Sequence, residues 1–288
     1  DIFISNEIVS PAKLRRVAGL AQLLKNRSGK LAIAVDSDEG IDRLALAMQT
    51  TSAAIDVFIE IDVGQGRCAV ALVQRLQGSA RLRYAGLHAY HGGAQHLRTV
   101  AERRNAIGQA ALRVAATRDA LAQANLAPAI ITGGGTGTFG LEAASGLWNE
   151  LQPGSFLFMD ADYARNERDN AQPAFEQALF VKSQVISVQD GHAVCDAGCK
   201  SIALDSGPPL VHALPGQPAL IYASGGDEHG ILRPATAGGP LPAVGDTVWL
   251  IPSHCDPTVN LHDAMIAVQG GLAAGAVSAV VRVDARGA

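Results

Sequence analysis

The sequence predicts an α/β domain followed by an all-β domain. In the first part of the chain, short apolar segments alternate with stretches whose hydrophobic residues recur every three or four positions, a pattern typical of parallel strands joined by helices. Beyond residue 172, apolar segments are joined by glycine- and proline-containing turns with almost no helical period. We therefore predict domains at residues 1–172 and 173–288.

Six strands are predicted in the first domain, near residues 3, 33, 59, 86, 131 and 157, the last of them over Ser155–Met159. A closed (β/α)₈ barrel needs eight strands, whereas an open doubly wound sheet also accommodates six, so the strand count leaves both open. The strands predicted in the second domain are Ala178–Val188, His192–Asp196, Pro218–Ala223, Thr247–Ile251, Met265–Val268 and Ser278–Val283.

Composition excludes several classes of protein. Hydrophobic residues make up 48% and charged residues 17%, which excludes a disordered chain. The net charge of -4 gives no electrostatic basis for a nucleic-acid or membrane-surface partner, and the apolar runs are too short to span a bilayer. The four cysteines suggest no disulfide framework and no secretory signal opens the chain, so we expect a reducing cytoplasm.

The strongest single motif is the glycine-rich run Thr132–Gly137, which directly follows a predicted strand. Consecutive glycines expose backbone N–H groups without a Cβ in the way, and a helix start follows near Leu141. Such a segment is suited to a phosphate group. A flexible turn is the alternative, but three glycines between threonines at a strand end favour the phosphate.

A second motif, Pro252–Thr258, follows the strand predicted at Thr247–Ile251. In an extended chain His254 and Asp256 share one side, and an imidazole with a carboxylate suits Mn²⁺, Mg²⁺ or Zn²⁺. On spacing alone, a loop histidine beside a turn-forming Asp-Pro pair is the better interpretation.

Groups that could act as acid or base cluster after the fourth predicted strand. They are His88, Tyr90, His91 and His96. Each histidine alone is more often structural than catalytic, so the cluster does not identify the residue. Arg67 follows two glycines at the end of the third strand and could either reach a ligand or lie on a helix surface.

The order and spacing of these motifs resemble the D-threonine aldolase and 3-hydroxy-D-aspartate aldolase family. This family belongs to the alanine-racemase-like (fold type III) pyridoxal-phosphate enzymes, and the resemblance extends over nearly the whole chain. The segments that carry it are ISNEI (4–8), EIDVGQGRC (60–68), AYHGGAQH (89–96), TGGGTG (132–137), ELQPGS (150–155), FMDADY (158–163), DEHG (227–230) and PSHCDPT (252–258). It implies a (β/α)₈ TIM-type barrel, a C-terminal β domain and a homodimer.

The resemblance also implies an activity: retro-aldol cleavage of D-3-hydroxy amino acids to glycine and an aldehyde, with pyridoxal 5′-phosphate and a divalent metal ion. His254 and Asp256 would bind the metal, and His96 would take the proton of the substrate β-hydroxyl. The implied cofactor contacts are Arg67, Tyr90, Gly134, Gly135, Thr136, Gly137, Gly154 and Ser155.

Three other functions fit the same scaffold: a D-serine dehydratase, a racemase, and a protein that binds pyridoxal phosphate without catalysis. Related dehydratases place a cysteine two residues after the metal-binding histidine. This chain has Asp256 there and its cysteine at Cys255. An oxygen ligand at position 256 is harder than the thiolate of the dehydratases, and this difference favours the aldolase.

One family motif is absent from the sequence. The family carries its cofactor-binding lysine on the first barrel strand, in an Arg-Pro-His-x-Lys motif, and no such motif occurs here. The chain starts at Asp1 within an apolar, strand-like segment, and six strands are predicted rather than eight. We therefore expect the first two barrel strands, with the lysine, to lie upstream of Asp1.

Overall fold

The computed structural model describes residues 1–63 and 69–287. The chain forms two compact units, Asp1–Pro153 and Gly154–Ala288. The predicted boundary lies at residue 172, whereas the chain divides after Pro153.

The first unit is built on a six-stranded parallel sheet whose spatial order follows the chain. Its strands are β1 (Ile2–Ile4), β2 (Leu31–Val35), β3 (Ile55–Glu60), β4 (Leu82–His88), β5 (Ile130–Gly133) and β6 (Glu150–Leu151). Sequential parallel order with intervening helices is that of a barrel wall. The predicted α/β architecture is confirmed as a half-barrel.

The helices of this unit cover the sheet with their apolar faces. They are α1 (Pro11–Asn26), α2 (Asp38–Met48), α3 (Ala69–Gln77), α4 (Val100–Gln123) and α5 (Phe139–Ser145), with a 3₁₀ turn, η1 (Gly92–His96). A capping box of Thr99 and Glu102 starts α4. The core between helices and strands includes Leu14, Ile33 and Leu76. No helix in the described ranges is long and apolar enough to cross a membrane.

The sixth predicted strand, Ser155–Met159, is wrong. Ser155–Leu157 forms a 3₁₀ turn, η2, and the sixth strand is the two-residue β6. Phe156 and Leu157 are exposed and Met159 has a left-handed φ of 52°, so this apolar run is neither buried nor extended. Hydrophobicity alone suggested a strand.

The second unit contains a six-stranded antiparallel sheet in the order β10-β11-β8-β7-β12-β9 and a separate hairpin, β13-β14. The strands are β7 (Val181–Gln189), β8 (His192–Cys195), β9 (Leu210–His212), β10 (Leu220–Ser224), β11 (Gly230–Pro234), β12 (Thr247–Ile251), β13 (Ala264–Gln269) and β14 (Ala276–Arg282). Two short helices, α6 (Ala161–Ala164) and α7 (Cys255–Asn260), accompany them. The predicted C-terminal β domain is confirmed; the short strands β9 and β11 were not predicted.

The close approach of β4 to β5 depends on Gly86. A Cβ at this position would lie 1.9 Å from the carbonyl oxygen of Ile130, so a side chain would force the two strands apart. Beside it, the register of β3 against β4 shifts between Val57 and Phe58. Gly86 therefore sets the spacing between β4 and β5 at the point where β5 begins.

We expect Gly86→Ala to lower the free energy of unfolding by about 2–3 kcal/mol, because β4 and β5 must separate to admit the methyl group. The control is Gly108→Ala in α4, where a Cβ meets no other part of the chain within 4 Å; it should gain about 0.5–1 kcal/mol from helix propensity. Urea denaturation measures both, and equal midpoints for the two variants would contradict the strand contact.

Candidate active site

A hydrogen-bonded network joins the carboxyl ends of the strands in the first unit. His88, at the end of β4, is buried and its Nδ1 lies 2.8 Å from Oε2 of Glu60, at the end of β3. Its Nε2 lies 3.3 Å from Oε1 of Gln152. The Gln152 amide in turn donates to the Thr132 hydroxyl at 2.8 Å. Side chains from three strands and from the end of β6 thus form one polar cluster, at the edge where parallel barrels place their active sites.

The acidic end of this network has two carboxyl groups whose pKa values are shifted in opposite directions. The hydrogen bond from His88 lowers the pKa of Glu60 below its ordinary value. Burial raises the pKa of Glu7, after β1, and the charge of Glu60 raises it further. Glu60 is therefore the more readily ionised carboxyl of the pair. Sequence reasoning named His88 only as one of a cluster and assigned no role to Glu7, Glu60 or Gln152; their positions at strand ends were the available signal.

Aromatic rings line the same edge. The rings of His88 and Tyr90 lie nearly parallel, with centroids 6.4 Å apart and 10° between their planes. Phe3 of β1 meets His88 edge-on at 5.5 Å. Burial raises the pKa of Tyr90, with a further contribution from Glu142, so Tyr90 keeps its hydroxyl proton at neutral pH. The structure therefore provides a ring-lined surface with one phenol.

The segment Gly133–Gly137, called the glycine bend here, is closely packed against the chain that follows β4. A Cβ on Gly133 would lie 2.3 Å from the Ala89 carbonyl oxygen. A Cβ on Gly135 would lie 2.6 Å from both the Gln95 amide oxygen and the Tyr90 hydroxyl. The glycines are required by this packing, which is opposite to what a flexible turn would show.

The backbone N–H groups of the glycine bend differ in whether they have a hydrogen-bond acceptor. Gly134 and Gly135 are buried, and neither amide N–H has an acceptor within residues 1–63 and 69–287. The N–H of Gly137 donates to the side-chain amide oxygen of Gln95 at 2.9 Å. Thr136, which lies between Gly135 and Gly137 in the chain, is buried. Buried N–H groups normally have a partner. Two adjacent ones without an acceptor fit an anion such as a phosphate group.

Two other predicted site residues, His96 and Arg67, belong to the first unit. His96 ends η1 and is exposed. Arg67 lies outside the described residues.

Gly154 and Ser155, predicted cofactor contacts, open the second unit. Gly154 is the exposed residue before η2, and Ser155 is the first residue of η2. The structure thus groups Tyr90 with the glycine bend and places Gly154 and Ser155 in the other unit.

His254 and Asp256 lie in one cleft of the second unit, with a volume of about 500 Å³. His254 is extended, with φ -139° and ψ 125°, but α7 begins at the next residue and Asp256 lies in its first turn. The prediction of an extended segment through Asp256 is therefore wrong. The Thr258 hydroxyl donates to the His254 carbonyl oxygen at 2.9 Å, which helps to start the helix.

Asp205 completes this cleft and was not predicted. Its Oδ2 lies 3.2 Å from Nδ1 of His254, a contact that orients the imidazole as carboxylates do beside metal-binding histidines. The Ala203 N–H donates to the Thr258 hydroxyl at 3.1 Å, which holds the Asp205 segment beside α7. In the part of the chain that the structure describes, no three His, Cys, Asp or Glu side chains gather as a metal-binding group. The metal-binding roles of His254 and Asp256 stay predictions.

The Asp160 side chain links the start of α6 to the segment Pro252–Thr258 of the cleft. It is fully buried and accepts hydrogen bonds from the backbone N–H of Tyr163 at 2.9 Å and of Cys255 at 3.0 Å. The Ala161 N–H donates to the Pro252 carbonyl oxygen at 2.9 Å. The FMDADY and PSHCDPT motifs are therefore joined in space, which explains why both carry the resemblance.

Cys255 is not among the residues that line the cleft. It is buried, and burial raises its pKa to about 11. Because metals bind the thiolate, a thiol that keeps its proton at neutral pH is a poor ligand. The carboxylate of Asp256 is the available donor.

Comparison with known proteins identifies the class and then the family. The alanine racemase N-terminal domain family matches residues 8–162, and the putative serine dehydratase domain family matches residues 178–268. The chain is therefore an alanine-racemase-like protein. D-threo-3-hydroxyaspartate dehydratase from Delftia sp. HT23 has the same fold: 23% identity, a TM-score of 0.83, 100% of this chain and 79% of that one.

Nearer relatives are aldolases. D-threonine aldolase of Arthrobacter sp is 43% identical over 100% of this chain and 74% of its own length. 3-Hydroxy-D-aspartate aldolase of Paracoccus denitrificans is 36% identical with the same coverage. The crystal structure of D-threonine aldolase from Filomicrobium marinum matches 98% of this chain and 75% of that one, with 40% identity and a TM-score of 0.88. The chain belongs to this family of aldolase-type lyases, as the motifs predicted.

We expect Asp160→Ala to lower the free energy of unfolding by about 2–4 kcal/mol. Two backbone N–H groups lose their acceptor, and that of Cys255 is buried. The control is Asp169→Ala, since Asp169 accepts from the exposed Ala171 N–H at 3.0 Å and should cost less than about 1 kcal/mol. Urea denaturation of the two variants provides the comparison. Equal losses of unfolding free energy in the two variants would show that the buried hydrogen bonds of Asp160 do not add to stability.

Proposed function

We propose that this protein cleaves D-3-hydroxy amino acids to glycine and an aldehyde, using pyridoxal 5′-phosphate and a divalent metal ion. The observation that carries the proposal is the pair of buried N–H groups of Gly134 and Gly135 without a protein acceptor, in a chain of the aldolase family. The names of the relatives at 43% and 36% identity give D-threonine and 3-hydroxy-D-aspartate as substrates. A homodimer and a cytoplasmic location stay predictions.

The glycine bend would hold the cofactor phosphate through Gly134 and Gly135, with Thr136 and Gly137 completing it. Tyr90 would line the ring and present its hydroxyl. The role of Arg67 beside the ring nitrogen rests on the family resemblance. When bound, the cofactor supplies an electron sink for the electron pair left on Cα.

In the second unit, His254 and Asp256 would bind the metal, with Asp205 orienting the imidazole. One imidazole nitrogen and carboxylate oxygens suit Mn²⁺, Mg²⁺ or Zn²⁺. A cation bound there supplies a Lewis acid for the substrate hydroxyl.

His96 would accept the proton of the β-hydroxyl. As that proton leaves, the C–O bond becomes the carbonyl of the departing aldehyde and the Cα–Cβ bond breaks. A proton delivered to Cα completes glycine, so the reaction needs no water and no oxidant. An imidazole is the side chain that most often serves as a general base in enzymes. His96 is solvent-exposed at the end of η1, from where it can pass the proton to solvent.

Dehydration of a 3-hydroxy amino acid is the second candidate reaction, since a dehydratase shares the fold. The chemistry of Asp256 and Cys255 favours the aldolase reaction. Asp256 supplies oxygen where the dehydratases have a cysteine, and the neighbouring thiol of Cys255 is buried and protonated.

The reaction is tested on the full-length protein with D-threonine as substrate. We expect glycine and acetaldehyde in equal amounts, loss of turnover in EDTA, and recovery on adding Mn²⁺, because the hydroxyl proton is much less acidic without the cation. Chromatography of glycine and a coupled aldehyde assay measure the products. Formation of 2-oxobutanoate and ammonia would indicate a dehydratase, and full activity in EDTA would remove the metal role of His254 and Asp256.

His96→Ala should slow cleavage by about 10²–10⁴-fold, the usual contribution of a positioned general base, while the absorbance of bound pyridoxal phosphate is unchanged. The matched control is His91→Ala, at the other end of η1, which should retain activity. Retained cleavage in His96→Ala would exclude this residue as the base.

A further inference from the structure

A buried glutamate lies directly behind the glycine bend and takes no part in the reaction described above. Glu142, on α5, is 1% exposed. The Thr138 hydroxyl donates to its Oε1 at 2.8 Å, while its Oε2 is buried and has no hydrogen-bond partner among the described residues. A Cβ on Gly134 would lie 3.3 Å from the Glu142 carboxyl carbon. A carboxyl group with an unused oxygen therefore lies against one of the two phosphate donors.

A chain of buried hydrogen bonds links Glu142 to the far end of the bend. The Gln95 amide donates to the Thr138 hydroxyl at 2.7 Å, and the same Gln95 accepts from the Gly137 N–H at 2.9 Å. The Thr138 hydroxyl thus accepts from Gln95 through a lone pair and gives its own proton to Glu142. Glu142 is thus the final acceptor of a bonded chain that runs through Thr138 and Gln95 to the bend.

The surroundings of Glu142 favour its neutral form. Burial raises its pKa, and the single bond from Thr138 offsets this only in part. Tyr90 faces it from the segment after β4 and remains neutral. Thr138, at the start of α5, and Leu151 of β6, which also packs against Gly134, carry no charge. A phosphate arriving at Gly134 brings negative charge, which further favours the proton on Glu142.

We propose that Glu142 is a positioning residue that holds the glycine bend as a neutral carboxylic acid, so that binding of the cofactor phosphate is linked to its protonation. This inference rests on the proposed function, because the phosphate is that of pyridoxal phosphate. Once the pH exceeds the pKa of Glu142, phosphate affinity should fall by up to about tenfold per pH unit through this group. Glutamine, which has the same shape and no charge, should not show this fall.

The experiment measures the dissociation constant of pyridoxal 5′-phosphate from pH 6 to pH 9 by absorbance titration. The proteins are wild type, Glu142→Gln, Glu142→Ala and the control Glu39→Gln, an exposed residue of α2. Pyridoxal, which lacks the phosphate, serves as a second ligand. We expect wild type and Glu142→Gln to bind equally at pH 6 and the ratio of their dissociation constants to grow with pH for pyridoxal phosphate alone. Glu142→Ala should bind more weakly at every pH.

Three results would overturn the inference. They are a ratio that stays constant over this range, a Glu142→Gln variant as weak as Glu142→Ala at pH 6, and an equal pH effect on pyridoxal. Infrared spectroscopy gives an independent check: the carbonyl stretch of a protonated carboxyl should be present in wild type at neutral pH and absent from Glu142→Gln, whether or not cofactor is added. If that band is seen but wild type binds no pyridoxal phosphate at any pH, the proposed function fails and Glu142 is a neutral structural acid.

Discussion

The packing of the glycine bend against the segment after β4 is the constraint on which the candidate site depends. Gly133 and Gly135 have no room for a Cβ because backbone and side chains of that segment fill the space. This contact holds the bend in place before any ligand arrives, and among the described residues the N–H groups of Gly134 and Gly135 have no acceptor. A preorganised donor pair binds an anion without the entropy cost of ordering a loop.

The second unit uses the same principle with different groups. Asp160 holds the backbone at Cys255, and Asp205 fixes the imidazole of His254. Neither carboxylate is among the two predicted metal ligands, yet both determine where a ligand can lie. In each unit, residues that bind nothing themselves supply the rigidity that a site needs.

Sequence periodicity was sufficient for the architecture, since β8 at His192–Cys195 and β12 at Thr247–Ile251 lie where their apolar patterns predicted. It failed at Ser155–Met159, because an apolar run does not reveal that its side chains face solvent. Among site residues, glycines and histidines were found through their motifs. Asp205, Gln152 and Glu142 were not, because each acts through a contact with a residue at least four positions away in sequence, and a single sequence contains no record of such contacts.

The most direct test of the phosphate site is a crystal structure of the protein grown with pyridoxal 5′-phosphate and Mn²⁺. We predict phosphate oxygens about 2.7–3.2 Å from the amide nitrogens of Gly134 and Gly135, the range of ordinary hydrogen bonds. A cofactor phosphate bound elsewhere, with these two N–H groups still lacking an acceptor, would contradict the account.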